Sequence, residues 1–253
     1  MTFWSGWSRA AQAVAILVLA LVAVRVWPHD RLSHRFAVST AVWSADGELL
    51  RMTRAADDQY RLWVPLSEIS PELVDAFLLK EDRAFYFHFG VNPIALARAA
   101  GRSVAGHRQG GSTLTMQLAR LTYRINTKTP RGKLRQMAAA IWLEARYSKR
   151  ELLEAYLNVV PFGGNLEGVG AASRIYFGKT ASRLTLGESL TLAVIPQSPT
   201  TRAGRSLRET SVLEARARLG ALWLRKHGTG AADADRRQVK LPIVARRQFA
   251  MPC

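Results

Sequence analysis

Two adjacent carboxylates, Glu81 and Asp82, precede a long stretch that contains no further acidic residue until Glu144. The stretch carries ten cationic residues: Arg83, Arg98, Arg102, Arg108, Arg120, Arg124, Lys128, Arg131, Lys133 and Arg135. A carboxylate at the edge of a cationic surface is suited to proton abstraction from a substrate that carries phosphate. A solvated basic surface without a catalytic role fits the charges alone equally well.

The composition points to an anionic partner. The chain has 253 residues and a formal net charge of +17, which fits nucleic acid, membrane headgroups or a phosphorylated substrate. The single cysteine, Cys253, excludes an internal disulfide and a cysteine-based metal site. The histidines have no metal-ligand spacing, which argues against a zinc enzyme.

One segment is apolar enough to enter a bilayer. Residues 10–24 form an almost uninterrupted apolar run, followed by Arg25, and Trp4, Trp7 and Trp27 bracket it. The run is at the short end for a spanning helix, which needs about 17–25 residues. A cleaved signal peptide is the alternative, but no A-x-A cleavage site follows the run. We therefore predict an uncleaved anchor over residues 10–27.

The elements that must position the two carboxylates are mainly helices. Residues 36–64 alternate apolar and polar side chains around Asp46-Gly47, which predicts a small β-hairpin. Residues 168–179 are interpreted as an alanine-rich turn after a glycine-rich loop. Apart from such turns, everything after the hairpin is interpreted as helical, with helices predicted over residues 70–81, 92–102, 112–121, 131–147, 148–158, 184–194 and 211–227. Ser70, Ser112 and Ser148 are predicted to cap the first, third and fifth of these helices.

The helix that starts after Ser70 determines the environment of Glu81. Val74, Phe77, Leu78 and Glu81 share one face at helical spacing. Glu81 therefore continues an apolar stripe, a position that favours a raised pKa and suits a general base. A terminal glutamate that turns into water is the alternative.

Five segments carry a specific resemblance: EDRAFYFHFG, GGSTLTMQLAR, GKLRQMAAAIWLEARYSK, ELLEAYLNVVPFGGNLEGVGAASRIYFGK and LTLGESLTLAVIPQSP. In this order they resemble the five motifs of family 51 glycosyltransferases, the peptidoglycan polymerases, from about Ile69 to Thr200. The GKLRQ and PFGGNLEG forms are most similar to the 1C type of class A penicillin-binding proteins. The resemblance implies a mainly α, lysozyme-like fold.

The resemblance also implies a reaction. Lipid II would be the acceptor, and a glycan held on a lipid pyrophosphate would be the donor. The acceptor's GlcNAc 4-hydroxyl would attack C1 of the donor's MurNAc, with inversion, to form a β-1,4 bond and release undecaprenyl pyrophosphate. The cationic stretch would stabilise the charge on that leaving group.

Roles for individual residues follow from the same resemblance. Glu81 is implied to be the general base, supported by Asp82, Phe85 and His88. Ser112, Thr113 and Gln117 match donor-side contacts, and Lys133 matches a lysine near the donor pyrophosphate. Five more residues occupy motif positions and are predicted to bind substrate: Gln136, Glu144, Ser148, Lys149 and Asn158.

Some features depart from the family pattern. Gln136 stands where many relatives have glutamate, Gly132 replaces a basic residue, and Met116 replaces a second glutamine. An amide cannot hold a metal as a carboxylate does, although Mg²⁺ or Mn²⁺ assists some members of the family. No S-x-x-K, S-x-N and K-T-G transpeptidase series follows, so a monofunctional polymerase or a truncated two-domain relic is expected.

The predicted organisation has five parts: tail 1–9, anchor 10–27, linker and hairpin 28–66, glycosyltransferase domain 67–228 and basic tail 229–253. The resemblance implies a single-pass protein of the inner membrane with its catalytic domain on the periplasmic side. Its expected partners are lipid II, lipid-linked glycan, the membrane and other cell-wall synthesis proteins, and no nucleic acid.

Three other functions fit part of the sequence. A lysozyme-like hydrolase would cut the same glycan with paired carboxylates. A catalytically weak or inactive scaffold would fit Gln136 and the missing transpeptidase. A membrane-tethered nucleic-acid binder fits the charge alone and lacks a recognisable binding module.

Overall fold

A computed structural model describes residues 8–104, 111–197 and 210–227. The predicted tail 229–253 and most of the predicted tail 1–9 lie outside these residues. The first helix, α1 (Arg9–Val26), begins at Ser8, whose side chain accepts a hydrogen bond from the Ala11 amide at 3.3 Å. Within the described residues it is the one helix long and apolar enough to cross a membrane, with a mean hydropathy of 2.0 over 18 residues.

The predicted hairpin is confirmed. Strand β1 (Ala41–Trp43) pairs antiparallel with β2 (Leu49–Met52), and Gly47 in the turn has φ +81°. That left-handed conformation favours glycine, as the Asp-Gly pair predicts.

A second sheet contradicts the expectation that everything after the hairpin is helical. Strand β3 (Tyr60–Arg61) pairs parallel with β5 (Leu166–Glu167), which pairs antiparallel with β4 (Pro161–Gly163). Each of these strands has only two or three residues, so no alternating pattern is long enough to indicate it.

Eight more helices form the rest of the described fold. They are α2 (Pro71–Glu81), α3 (Pro93–Val104), α4 (Leu114–Thr122), α5 (Pro130–Arg146), α6 (Lys149–Val159), α7 (Val169–Phe177), α8 (Leu186–Val194) and α9 (Thr210–His227). Ser70 caps α2, and Ser148 caps α6 in a capping box with Glu151, as predicted. The mainly α prediction, with one small hairpin and an N-terminal apolar helix, is confirmed.

Two local predictions are wrong. Thr113, rather than Ser112, caps α4 by accepting a hydrogen bond from the Met116 amide at 3.1 Å. Residues 169–177 form α7 instead of a turn. Glycine bounds this helix at both ends, Gly168 with φ +80° and Gly178 with φ +68°, so its glycines mark the boundaries of a short buried helix rather than a loop.

The core determines where the carboxylates lie. Helix α2 packs against α8 and α9, and α4 packs against α5 and α6. Leu73 and Phe77 on α2 are fully buried, so the α2 axis is fixed and its last residue, Glu81, projects towards α4. The end of α2, the start of α4 and the start of α5 therefore meet at one edge of the core.

Helix α1 is attached to α5 through backbone oxygens. The guanidinium of Arg25 donates to the carbonyls of Glu144 at 3.2 Å and Tyr147 at 2.9 Å. The Tyr147 hydroxyl donates to the carbonyl of Asp30 at 3.1 Å. Arg25 therefore satisfies carbonyls that have no partner within α5 and complements the negative end of the helix dipole.

Candidate active site

Glu81, the last residue of α2, is held by an amide on α4. The side-chain Nε2 of Gln117 donates to Glu81 Oε2 at 2.8 Å. The hydroxyl of Tyr156 on α6 donates to Gln117 Oε1 at 3.2 Å. Since Oε1 accepts from a hydroxyl, the amide nitrogen must point at the carboxylate. Two helices thus fix the direction of one glutamate.

Tyr156 is a member of this site that the sequence does not predict. Burial raises its pKa well above the usual value, and the nearby negative charge of Glu81 raises it further. The phenol therefore stays neutral and remains a donor to Gln117 across the working pH range. Its only signal in the sequence is a hydroxyl on the otherwise apolar inner face of α6.

Asp82 accepts hydrogen bonds from groups of the protein itself. Its Oδ2 accepts hydrogen bonds from His88 Nε2 at 2.8 Å and from the Leu114 amide at 2.9 Å. The carboxylate is buried at the N-terminus of α4, where the helix dipole favours a negative charge. Asp82, predicted from the sequence to be catalytic, joins the loop after α2 to the start of α4 in this structure.

The partly exposed Lys149 pairs with the buried Glu144 next to that loop. The Lys149 ammonium donates to Glu144 Oε1 at 2.6 Å and to the carbonyl of His88 at 2.7 Å, and it lies 4.5 Å from the centre of the Phe85 ring. Thr115 donates to the same Glu144 oxygen at 2.7 Å. Because Glu144 is buried, loss of Lys149 would leave its charge without compensation inside the protein, so these residues stabilise the loop that carries His88.

Gly90 fixes the far end of the loop. It has φ +76°, and a Cβ there would lie 2.7 Å from the carbonyl carbon and oxygen of Ala140 in α5. The Thr113 hydroxyl donates to the Gly90 carbonyl at 2.5 Å. Only glycine fits both the conformation and the close approach, so the motif from Glu81 to Gly90 is a rigid connection between α2 and α5.

Lys133 lies in the first turn of α5 and faces the start of α4. Its ammonium donates to Ser112 Oγ at 2.6 Å and to Gln136 Oε1 at 2.9 Å. Burial lowers the pKa of Lys133, and the positive charge of Arg120 lowers it further. Arg120 also acts on Tyr156, so this arginine, absent from the predicted site, lies within electrostatic reach of both ends of it.

Ser148 and Asn158 occupy structural positions. Ser148 caps α6. The Asn158 side chain donates to the carbonyls of Val64 at 2.8 Å and Glu154 at 2.9 Å and accepts from the Val64 amide at 2.8 Å. These bonds leave the amide little capacity for a ligand. Both residues, predicted to bind substrate, hold α6 and the segment before α2 in place here.

Comparison with known proteins identifies the family. The sequence model of the Transglycosylase family matches residues 46–220. The chain belongs to this family. The match contains every predicted site residue and extends beyond the residues that carry the predicted resemblance, which is thereby confirmed.

Several penicillin-binding proteins are similar to this transglycosylase. Penicillin-binding protein 1C of Escherichia coli K12 is 43% identical over 76% of the chain and 25% of the relative. Penicillin-binding protein 2D of Bacillus subtilis is 38% identical over 75% and 27%. A crystal structure of penicillin-binding protein 1A from Haemophilus influenzae covers 84% of the chain and 22% of its own, with 23% identity and a TM-score of 0.46. The chain thus spans about a quarter of the length of these relatives.

Gln136 is built into the transglycosylase core as an amide. Only 2% of its surface is exposed, and while its oxygen accepts from Lys133, its Nε2 donates to the carbonyl of Met116 at 2.7 Å. A glutamate could accept from Lys133 but could not donate to Met116. The site therefore uses both halves of the amide that distinguishes it from many relatives.

The change Gln136→Glu is expected to lower stability. It buries a charge beside an unsatisfied carbonyl, at a cost of about 1–3 kcal/mol, which corresponds to roughly 2–10 °C in the unfolding midpoint. Thermal unfolding at pH 7 measures the effect. Asn165→Asp adds the same charge at an exposed position outside the cationic cavity described below, so it should leave the midpoint unchanged. An unaltered midpoint for Gln136→Glu would contradict this account of the amide.

A cationic cavity of about 640 Å³ lies beside Arg120. It runs between the α4–α5 connection and strands β3 and β5. Its charged lining residues are five cations and two carboxylates: Arg35, Arg61, Arg120, Arg124, Lys128, Asp57 and Glu167. Arg120, which acts electrostatically on Lys133, makes this cavity continuous with the positive charge at the start of α5.

The described residues contain no preformed cluster of protein ligands for a divalent cation. Nowhere in residues 8–104, 111–197 and 210–227 do three His, Cys, Asp or Glu side chains group so that they could hold a metal ion. Asp82 and Glu144 each accept hydrogen bonds from protein donors, and Gln136 supplies an amide where a carboxylate ligand would serve.

Proposed function

We propose that this transglycosylase is a peptidoglycan glycosyltransferase that polymerises lipid II into β-1,4-linked glycan. The observation that carries the proposal is the separation of charge within one site. A carboxylate directed by Gln117 stands at one end, and Lys133 with the cationic cavity forms the other. Transfer of a sugar from a lipid diphosphate needs these two kinds of group.

Glu81 is the general base. The acceptor's 4-hydroxyl loses its proton to the Glu81 carboxylate while its oxygen bonds to C1 of the donor MurNAc. The bond from C1 to the diphosphate oxygen breaks, and its electron pair leaves with the lipid diphosphate. Attack from the side opposite the leaving group inverts the configuration at C1.

Lys133 and its cationic neighbours stabilise the leaving group. Negative charge grows on the diphosphate as the C1–O bond breaks, and preformed positive charge near that position lowers the barrier. Ser112 and Gln136 hold the Lys133 ammonium in place. Arg120, Arg124 and Lys128 carry the positive field into the cavity, where the rest of the donor's diphosphate would bind.

The bilayer is the proposed source of both substrates. Helix α1 is a candidate membrane span. Three large apolar side chains near the site are strongly exposed, Phe87 at 89%, Ile94 at 72% and Leu134 at 66%. Exposed apolar groups of this size mark contact surfaces, and a lipid-linked substrate would reach the site from such a surface. We place the protein in the inner membrane with its catalytic domain on the periplasmic side.

The burial and hydrogen bonds of Asp82 argue against a lysozyme-like hydrolase. Glycoside hydrolysis commonly uses two carboxyl groups that flank the scissile bond. The neighbour of Glu81 in sequence is buried and bonded to His88 and Leu114, so it does not offer a second acid to a glycan. A single carboxylate, Glu81, held by Gln117 beside a cationic surface fits transfer from a diphosphate better.

The decisive test is incubation of the full chain, in detergent and in liposomes, with labelled lipid II. The expected product is a long glycan that lysozyme digests to disaccharide units. Shortening of added glycan, with no growth from lipid II, would establish the hydrolase instead. Lipid II binding without a product under any condition would favour the scaffold.

A further inference from the structure

We propose that Arg35, in the segment between α1 and the catalytic domain, is a further binding residue for the diphosphate of the lipid-linked donor. The inference rests on the proposed function. Arg35 lies before residues 46–220, which the family model matches, so no family motif includes it. Its assignment comes from the cavity that it lines together with Arg120, Arg124 and Lys128.

Packing on both sides fixes the position of Arg35. It ends a short 3₁₀ turn, Leu32–Arg35, in which Leu32 is 3% exposed and joins the core. The next residue, Phe36, stacks on Trp63 with ring centres 6.3 Å apart. The turn packs against α6, so the backbone that carries Arg35 is part of the catalytic domain although its sequence belongs to the linker.

The guanidinium of Arg35 is directed towards α4. It interacts with the hydroxyl of Tyr123, the residue that follows α4. Burial raises the pKa of that phenol, and the positive charge of Arg35 lowers it. Arg120 lies one turn earlier on the same helix. The Tyr123 phenol thus holds Arg35 at the mouth of the cavity that Arg120 lines.

The charge of Arg35 has no anionic partner in the cavity. Both carboxylates that line it, Asp57 and Glu167, pair with the buried Arg61. In the part of the chain that the structure describes, no carboxylate lies within ion-pair distance of Arg35, Arg120, Arg124 or Lys128. Four cations around one cavity repel one another, and an anion with several oxygens would relieve that repulsion.

Arg120 links the cavity to the proposed reaction centre. Arg120 lines the cavity and acts electrostatically on Lys133. A volume of about 640 Å³ falls within the range of small-molecule sites, roughly 300–1,000 Å³. A guanidinium binds two phosphate oxygens at once, which an ammonium cannot do. Arg35 would therefore contact the phosphate farther from the scissile bond.

The test compares three variants of the full chain: Arg35→Gln, Arg35→Lys and the control Arg31→Gln. Arg31 lies at the start of the same turn, is exposed and does not line the cavity. The probe is a water-soluble short-chain prenyl diphosphate, with affinity measured by isothermal titration calorimetry at fixed ionic strength. Loss of one charge-assisted contact should weaken binding about tenfold in Arg35→Gln. Arg35→Lys should lose less, and Arg31→Gln should match the wild type.

The outcomes separate this inference from the proposed function. If Arg35→Gln binds the probe as the wild type does, Arg35 is not a diphosphate ligand, whatever the polymerisation assay shows. If it loses affinity with an unchanged unfolding midpoint while the wild type makes no glycan, the diphosphate site stands and the function fails. Equal losses in Arg35→Gln and Arg31→Gln would indicate general surface attraction and overturn the inference. In an active enzyme, Arg35→Gln should raise KM for lipid II more than it lowers kcat.

Discussion

Replacement of Glu81 by glutamine is expected to lower kcat for glycan synthesis by about 10²- to 10⁴-fold, the usual contribution of a general base. The amide has the same size and can still bond to Gln117, but it cannot take the proton of the acceptor hydroxyl. Binding of the lipid diphosphate should persist because the cationic groups are unchanged. Labelled lipid II in a single-turnover assay measures the loss.

Glu72→Gln is the matched control for Glu81→Gln. Glu72 lies in the first turn of the same helix and is exposed, so its replacement removes an equal charge from α2 without touching the site. The control should retain wild-type activity, and both variants should unfold at the wild-type temperature. Glycan made at the wild-type rate by Glu81→Gln would refute the assignment of the base.

Replacement of Lys133 by methionine is expected to lower kcat/KM by about 10²- to 10³-fold, a loss typical of removing one preorganised stabilising group. Methionine keeps most of the side-chain volume beside Ser112 and Gln136 and removes the ammonium. The loss should appear mainly in kcat, since charge on the diphosphate grows in the transition state. Arg131→Gln, in the same turn of α5 at an exposed position, should have a small effect; equal losses would mean that only the overall charge matters.

The pH dependence of wild-type activity provides a second test of the role of the Lys133 ammonium. Burial, and secondarily Arg120, lowers the pKa of this amine, so activity should fall on the alkaline side at a lower pH than for a free lysine. The variant Lys133→Arg would keep its charge in that range and remove the alkaline limb. The effect of pH on stability has the opposite direction. Between the lowered pKa of Lys133 in the folded protein and its unfolded value of about 10.4, the unfolded chain binds more protons than the folded chain. The free energy of unfolding therefore increases as pH rises through this range.

Local signals predicted most of the helices. Ser70, Ser148 and the Asp-Gly pair at 46–47 act on backbone groups within a few residues, and each lies where the sequence predicts. The prediction failed for α7 and for strands β3, β4 and β5. A nine-residue helix bounded by glycines resembles a loop, and strands of two or three residues have no measurable period.

The sequence proposes a set of candidate site residues but not their arrangement. The motifs place Glu81, Gln117 and Lys133 on three separate helices. Their side-chain partners come from distant parts of the chain: Gln117 bonds to Glu81 across 36 residues and to Tyr156 across 39. No local pattern indicates which hydroxyl will meet which amide, so the sequence does not reveal Tyr156.

By itself the sequence determined the family, the sign of the charge around the site and the helices that carry it, because these depend on residue type and short-range spacing. Only the tertiary structure decided that Asp82 and Glu144 accept hydrogen bonds from other groups of the protein. It also decided that Arg35, from the segment after α1, lines the cavity beside Arg120. The physical reason is that burial and charge compensation depend on every side chain within a few ångströms. Those neighbours are set by how helices pack, not by their order along the chain.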